Sequence, residues 1–188
     1  MPSFAISLSD VQAALRRIET QVLRTPCIFN ERLSQELGCL VYFKAENLQH
    51  IGAFKARGAL NAVMKLGDET AARGVVTHSS GNHAAALARA ACLRGIPAYI
   101  VMPENSAQVK IAAVQSLGVE PVFCQPTVEA RERTASEIQE RTGAALIHPY
   151  NHADVMAGQG TVGLEILEQV PDVDAIIAPV GGGGLMSG

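Results

Sequence analysis

The sequence has 188 residues, of which 48% are hydrophobic and 18% are charged, and its formal net charge is -3. This composition is typical of a globular protein with a buried core, and it argues against a nucleic-acid-binding surface, which needs clustered Lys and Arg. No apolar run approaches the roughly 18 residues of a membrane span, and the four cysteines form no Cys-x-x-Cys pair. We therefore expect a cytoplasmic protein with reduced thiols that binds neither nucleic acid nor membrane.

Capping residues and apolar periodicity predict the first elements. A capping box at Ser9 and a helical apolar face predict a helix over residues 9–23, and Thr25-Pro26 ends it. A short helix over 31–37, closed by Gly38, and a strand over 39–44 follow.

From residue 74 onward, strands and helices alternate with short connections. Strands are predicted over 74–78, 98–102, 119–124, 144–148 and 173–180, and helices over 81–94, 107–117, 128–141 and 154–169. Apolar runs such as 175–178 indicate strands that are buried on both faces. This order predicts an α/β architecture in which helices cover parallel sheet.

Lys55 has an unusual sequence environment, in the segment 51–59. On a helix it shares a face with Ala59, Ala62 and Leu66, which are small or apolar. A lysine in apolar surroundings loses its charge more readily, and the neutral amine can attack a carbonyl. The alternative is a side chain that extends along the helix into solvent, and the local pattern alone favours this alternative.

Two loops that follow predicted strands have the composition of anion-binding sites. Residues 79–83, Ser-Ser-Gly-Asn-His, open an alanine-rich helix, where backbone N–H groups and short polar side chains suit a carboxylate or phosphate. Residues 181–184 are four glycines that can curl around a single phosphate. Neither G-x-G-x-x-G nor a P-loop motif is present there. Ordinary helix capping and a flexible turn are the alternatives.

Other candidate sites are weaker. His148 and His152 are four residues apart, but Pro149 between them argues against a shared helical face, so no metal site is expected. No G-x-S-x-G motif surrounds the serines, and a Ser-His-Asp hydrolase does not follow from the spacing. Arg131 lies in a polar helix whose charges typically form a solvated face.

Several ordered motifs together resemble the fold-type II pyridoxal-phosphate enzymes, in the branch of serine/threonine dehydratases, serine racemase and 3-hydroxyaspartate dehydratase. These motifs are Thr25-Pro26 and residues 43–49, 52–61, 79–83, 157–161 and 181–185. The resemblance implies a two-domain α/β fold like that of tryptophan synthase β. It also implies a small domain, 69–148, inserted into a larger one made of 1–68 and 149–188.

The resemblance also implies roles for site residues. Lys55 would bind pyridoxal 5'-phosphate covalently and move the Cα proton, Phe54 would pack on the cofactor ring, and Asn82 would hydrogen-bond the ring hydroxyl. The phosphate would lie at a loop formed by Gly181, Gly182, Gly183, Gly184 and Leu185. The substrate carboxylate would be held by Ser79, Ser80, Asn82 and His83. In a racemase-like reaction, Ser80 could serve as acid or base on the opposite face, and Arg131 matches a position that can reach the substrate.

The implied reaction is the deamination, by dehydration, of a β-hydroxy amino acid such as L-serine, L-threonine or 3-hydroxyaspartate to a 2-oxo acid and ammonia. Racemisation of serine and a truncated, non-catalytic α/β binding module are the alternatives. Ala53 and Ala84-Ala85 depart from the common dehydratase pattern and favour the hydroxyaspartate dehydratase and fungal serine racemase subgroup.

The sequence stops at the glycine loop, which predicts a truncated chain. In the family, the later part carries the group facing the pyridine nitrogen and a divalent-cation site for Mg, Mn or Ca. We therefore expect little or no activity from the 188 residues alone, and a homodimer or higher homo-oligomer in the full-length form.

Overall fold

A computed structural model of the protein describes residues 5–188, so the first four residues of the predicted 1–68 segment lie outside the description. Its helices are α1 (Leu8–Ile18), α2 (Glu31–Leu37), α3 (Lys55–Lys65), α4 (Asp68–Ala72), α5 (Asn82–Arg94), α6 (Gln108–Gln115), α7 (Val128–Thr142), α8 (Ala153–Gln169) and α9 (Gly184–Ser187). Its strands are β1 (Cys27–Phe29), β2 (Tyr42–Lys44), β3 (Val75–His78), β4 (Ala98–Pro103), β5 (Val122–Cys124) and β6 (Ala145–Leu146). Two short 3-10 turns, Glu46–Leu48 and His50–Gly52, precede α3.

Four of the strands form one parallel sheet in the order β5-β4-β3-β6. The chain runs from β3 through β4 to β5 in one direction, and then crosses back past β3 to reach β6. The predicted α/β architecture is therefore confirmed. The strand order reverses between β3 and β6, and in such sheets ligands bind in the crevice outside the carboxyl ends of the two strands at this point.

Helices α3, α5 and α8 form the core beside this sheet. The alanines of α5 are almost fully buried, as are Leu60 and Val63 of α3. Helices α3 and α8 come very close together at two glycines: a Cβ added to Gly158 would lie 2.6 Å from the Cα of Gly58. This close contact fixes the position of α3, at whose first residue Lys55 lies.

The amino-terminal segment differs from the prediction. Helix α1 ends at Ile18 and not at residue 23. The N–H groups of Gln21 and Val22 both donate to the Ile18 carbonyl in turns, and the buried amide of Gln49 then hydrogen-bonds both the backbone N–H and the carbonyl of Leu23, at 3.0 and 2.7 Å. The strand predicted over 39–44 covers only Tyr42–Lys44, and it pairs antiparallel with β1, which the sequence did not predict.

The prediction of a strand over residues 173–180 is wrong. These residues form no strand, and no strand among residues 5–188 pairs with them, so their backbone lacks the ladder of hydrogen bonds that a strand requires. The expected burial on both faces is also wrong, since Ile177 is 95% and Ile176 46% exposed. Within residues 5–188, no helix is both long enough and apolar enough to cross a bilayer.

Candidate active site

Lys55 begins α3, and its side chain points into the molecule. Nζ donates a hydrogen bond to the carbonyl oxygen of Pro149 at 2.6 Å and lies 5.3 Å from the centre of the Phe54 ring. The side chain is half-buried, and this burial lowers the pKa of the amine. The amine therefore does not extend freely into solvent, as the local alternative predicted, and it more readily reaches the neutral form that attacks carbonyls.

A buried ionic network fixes the first turn of α3. The guanidinium of Arg57, which is fully buried, contacts Glu165 of α8 at 2.6 Å and Glu46 at 2.8 Å, and Lys44 contacts Glu165 at 2.5 Å. Burial by itself raises the pKa of Glu165, but the hydrogen bonds from Arg57 and Lys44 outweigh it and lower this pKa. The two cations and two anions compensate one another, so the network joins β2, α3 and α8 without leaving a buried charge unpaired.

The segment that follows β6 connects the sites predicted separately. Lys55 contacts Pro149, and the next residue, Tyr150, packs against the glycine loop, because a Cβ at Gly182 would overlap the Tyr150 ring. A Cβ at Gly184 would lie 2.9 Å from the Cα of Tyr150. Lys55 and the glycine loop therefore contact adjacent residues, Pro149 and Tyr150, of one segment that follows β6.

Aromatic contacts extend this segment to the carboxyl end of β3. The rings of His148 and Tyr150 meet edge to face with centres 4.5 Å apart, and His148 meets His78 in the same way at 5.6 Å. His78 is the last residue of β3 and precedes the predicted loop 79–83. The crevice between β3 and β6 thus brings this loop and the Lys55 region together. Sequence reasoning missed Pro149 and Tyr150, although their position directly after a strand could have indicated them.

The residues of the loop 79–83 differ in exposure. Ser79 continues the pairing of β3 with β4 through its N–H, which donates to Val101 at 3.0 Å, whereas Ser80 is exposed. His83 is only 2% exposed, and its Nε2 donates to the carbonyl of Ile147 at 3.1 Å. Burial lowers the pKa of His83 to about 3. Its imidazole is therefore a neutral packing group at the start of α5.

Asn82 is the first residue of α5, and its side chain has a partner that the sequence did not predict. Nζ of Lys110, in the first turn of α6, donates to Oδ1 of Asn82 at 2.5 Å. Both side chains are partly buried. The first turns of α5 and α6 are thus joined at Asn82, the residue predicted to hydrogen-bond the ring hydroxyl of the cofactor.

The remaining predicted site residues are Arg131, Phe54 and Leu185. Arg131 is in the first turn of α7, where Nε donates to the Thr127 carbonyl at 3.3 Å, and its charge helps to lower the pKa of His78 after burial. Phe54 and Leu185 line a cavity of about 620 Å³, which includes neither Lys55 nor Asn82 in its lining. Among residues 5–188, no three His, Cys, Asp or Glu side chains, His148 and His152 included, are grouped so that they could hold a metal ion.

Comparison with known proteins identifies the family. A family model described as pyridoxal-phosphate dependent enzyme matches residues 18–188. The chain belongs to this family. The resemblance inferred from the ordered motifs is therefore confirmed at the level of the pyridoxal-phosphate-dependent enzymes.

Three relatives show how far the similarity extends. Serine racemase of Arabidopsis thaliana is 48% identical over 185 residues, which are 98% of this chain and 56% of the relative. The β-hydroxyaspartate dehydratase of Paracoccus denitrificans (strain Pd 1222) is 48% identical over 179 residues, 95% of this chain and 57% of the relative. The structure of maize serine racemase matches with a TM-score of 0.96 and 47% identity, covering 97% of this chain and 56% of that chain. This chain therefore spans little more than half the length of these pyridoxal-phosphate enzymes.

The residues at the crevice fit pyridoxal phosphate. Lys55 offers a half-buried amine with a lowered pKa. Gly183 has φ +84°, a conformation that favours glycine, and a Cβ at Gly181 would meet nothing within 4 Å, so the loop has open space beside it. The residues that could hold the cofactor are Lys55 for its aldehyde, Asn82 for its ring oxygen and the 181–184 backbone for its phosphate.

Proposed function

We propose that the whole protein is a pyridoxal-phosphate-dependent ammonia-lyase of the serine/threonine dehydratase type. Its substrate is a β-hydroxy amino acid such as L-serine, L-threonine or 3-hydroxyaspartate, which it converts to a 2-oxo acid and ammonia. The observation that carries this proposal is the position of Lys55, whose amine lies against Pro149 while Tyr150 lies against the glycine loop. Family membership supports the cofactor, and the relative named β-hydroxyaspartate dehydratase supports the substrate class.

In this proposal, each part of the crevice has one task. Bound pyridoxal phosphate supplies an electron-withdrawing ring that makes the substrate Cα proton acidic. Lys55 binds the cofactor covalently and, once released, moves that proton through Nζ, for which a lowered pKa is suited. Phe54 packs on the ring, and the phosphate is held by the loop of Gly181, Gly182, Gly183, Gly184 and Leu185.

The loop after β3 holds the substrate carboxylate in this proposal. Ser79, Ser80 and Asn82 contribute short polar side chains, and His83 contributes its backbone N–H because its ring is buried. In a racemase-like reaction, Ser80, which is exposed, is the acid or base opposite Lys55. Arg131 reaches the substrate from the first turn of α7.

Reductive labelling tests the central assignment. The protein is mixed with pyridoxal phosphate, reduced with borohydride and digested, and the pyridoxylated lysine is located by mass spectrometry. We expect the label on Lys55 and not on the other three lysines, and we expect Lys55→Ala to lose it. Labelling spread over surface lysines, or no labelling of the whole protein, would instead favour the non-catalytic α/β binding module.

Racemisation is a second candidate for the same site. It is supported by the relatives named serine racemase and by the exposed hydroxyl of Ser80, which could return a proton to the second face of Cα. Chiral chromatography of L-serine incubated with the whole protein distinguishes the two reactions. D-serine that forms in wild type and disappears in Ser80→Ala, while 2-oxo acid release persists, would assign racemisation to Ser80.

We also propose the organisation of the whole protein. Residues 69–148, which contain the parallel sheet, form a small domain between two segments, 1–68 and 149–188, of a larger one. Four free cysteines among the described residues support a reducing, cytoplasmic location. A homodimer or higher homo-oligomer is expected for the whole protein, and analytical ultracentrifugation measures it.

A further inference from the structure

The contact between Lys110 and Asn82 determines which way the asparagine amide faces. Lys110 Nζ lies 2.5 Å from Oδ1 of Asn82. An ammonium group has three donors and no acceptor, so it can only pair with the oxygen of the amide and not with its nitrogen. Nδ2 of Asn82 is consequently turned away from Lys110, and it donates to no group among residues 5–188.

Without Lys110, the amide of Asn82 could turn over at little cost. The oxygen and nitrogen of an asparagine side chain have nearly the same shape, and either can face a given direction unless hydrogen bonds select one. The two orientations differ greatly for a bound anion or phenolate oxygen. One orientation presents an N–H donor to that oxygen, and the other brings two acceptors together.

We propose that Lys110 is a positioning residue that holds the Asn82 amide with Nδ2 facing the ring oxygen of pyridoxal phosphate. The inference rests on the proposed function, because it assigns Asn82 to that oxygen. In this proposal Lys110 acts through its contact with Asn82 and not through a contact of its own with the cofactor. Its place in the fold suits this task, since α6 follows β4, the neighbour of β3, and α5 follows β3.

Affinity for two ligands tests the proposal without an activity assay. Equilibrium dialysis of the whole protein measures the binding of pyridoxal phosphate and of 3-deoxypyridoxal phosphate, which lacks the ring oxygen. We expect Lys110→Met to weaken pyridoxal phosphate binding by roughly ten-fold, the effect of one hydrogen bond to a charged group. The same variant should leave the affinity for the deoxy analogue unchanged, and Lys110→Arg should restore most of the pyridoxal phosphate affinity.

Two controls separate positioning from general effects. Lys65→Met removes a lysine that also contacts an oxygen at 2.5 Å, that of Asp154, but at the far end of α3, and it should change neither affinity. In an Asn82→Ala background, Lys110→Met should have no further effect, because the amide it orients is gone. Equal weakening of both ligands by Lys110→Met, or a full effect in the Asn82→Ala background, would overturn the proposal.

Failure of the inference and failure of the proposed function are distinguishable. If the wild-type protein is labelled at Lys55 and Lys110→Met binds both ligands like wild type, only the role of Lys110 is overturned. If wild-type protein binds neither ligand and Lys55 stays unlabelled, the proposed function is overturned, and the role of Lys110 with it.

Discussion

At the scale of single residues, burial affects Lys55 and His83 in the same direction with different results. Desolvation lowers the pKa of both, because each becomes charged on protonation. Lys55 is only half-buried and lies at the crevice, whereas His83 is enclosed beneath it with Nδ1 unpartnered among the described residues. Lys55 therefore remains an accessible amine, and His83 is a neutral part of the floor.

The buried imidazole of His83 should make stability depend on pH. Its pKa in the folded protein, about 3, lies below the ordinary value of 6.5, so between these values the unfolded chain binds a proton that the native chain does not. We expect the free energy of unfolding to decrease as pH falls from 6.5 towards 3. This group contributes at most about 1.4 kcal/mol per pH unit to the slope, which urea unfolding measures.

A matched pair of variants isolates the contribution of His83. His83→Gln keeps a donor for the Ile147 carbonyl but does not titrate, so its stability should vary less with pH over this range. His148→Gln removes a histidine that is only half-buried and should change the slope less. An identical slope in wild type and His83→Gln would contradict the buried, neutral imidazole.

Residue patterns indicate part of the candidate site and not the rest. Lys55 is unusual as a cation on a small, apolar helical face, but this pattern alone favours a side chain that extends into solvent, and its role as the cofactor lysine comes from the family resemblance. No pattern indicates the contact of Lys110 with Asn82, since 28 residues separate them and the contact depends on how α6 packs beside α5. The enclosure of His83 likewise depends on Ile147, which lies 64 residues away.

At the scale of elements, the tight packing of α3 against α8 holds in place the helix that begins with Lys55. At Gly158 an added Cβ would lie 2.6 Å from Gly58 Cα and 2.7 Å from the Arg57 carbonyl oxygen. These are backbone atoms, so relief requires the helices to move apart. Such a movement would also stretch the buried contact of Arg57 with Glu165, which joins the same two helices at 2.6 Å.

We expect Gly158→Ala to lower the free energy of unfolding by about 1–3 kcal/mol, the usual cost of an overpacked core. Gly163→Ala on the same helix is the matched control, because a Cβ there meets nothing within 4 Å. That control should raise stability by up to about 1 kcal/mol through helix propensity. Urea titration of both variants measures the difference, and equal effects at the two positions would show that the helices are not in tight contact.

Helices were predicted better than strands for a physical reason. Helices such as α5 and α8 satisfy their backbone hydrogen bonds locally, so periodicity and capping residues are sufficient to indicate them. A strand needs a partner from elsewhere in the chain. The apolar run 175–178 has the composition of a strand but no partner among residues 5–188, whereas the short strand Cys27–Phe29 exists only because Tyr42–Lys44 lies beside it.

At the scale of the whole molecule, strand order determines where the site lies. The order β5-β4-β3-β6 brings the segments after β3 and β6 to one crevice, although about 70 residues separate them in the sequence. The alternation of strands and helices predicted a parallel sheet, but it did not predict which strands are neighbours. The proximity of Lys55, the loop 79–83 and the glycine loop therefore follows from the family resemblance and from the strand order, and not from the pattern of strands and helices in the sequence.

The whole molecule also exposes an apolar segment, residues 176–180, which should make the 188-residue chain self-associate. Ile177 is 95% exposed and Val180 65% exposed, and large clustered apolar surface favours association. We expect Ile177→Asp to reduce the apparent mass in concentration-dependent light scattering while leaving the urea midpoint unchanged, because this side chain makes almost no packing contact to lose. Val109→Asp, at a 71% exposed position on α6, is the matched control and should reduce association less. A monomeric wild-type chain at high concentration, or equal effects of the two substitutions, would show that the 176–180 surface does not drive association.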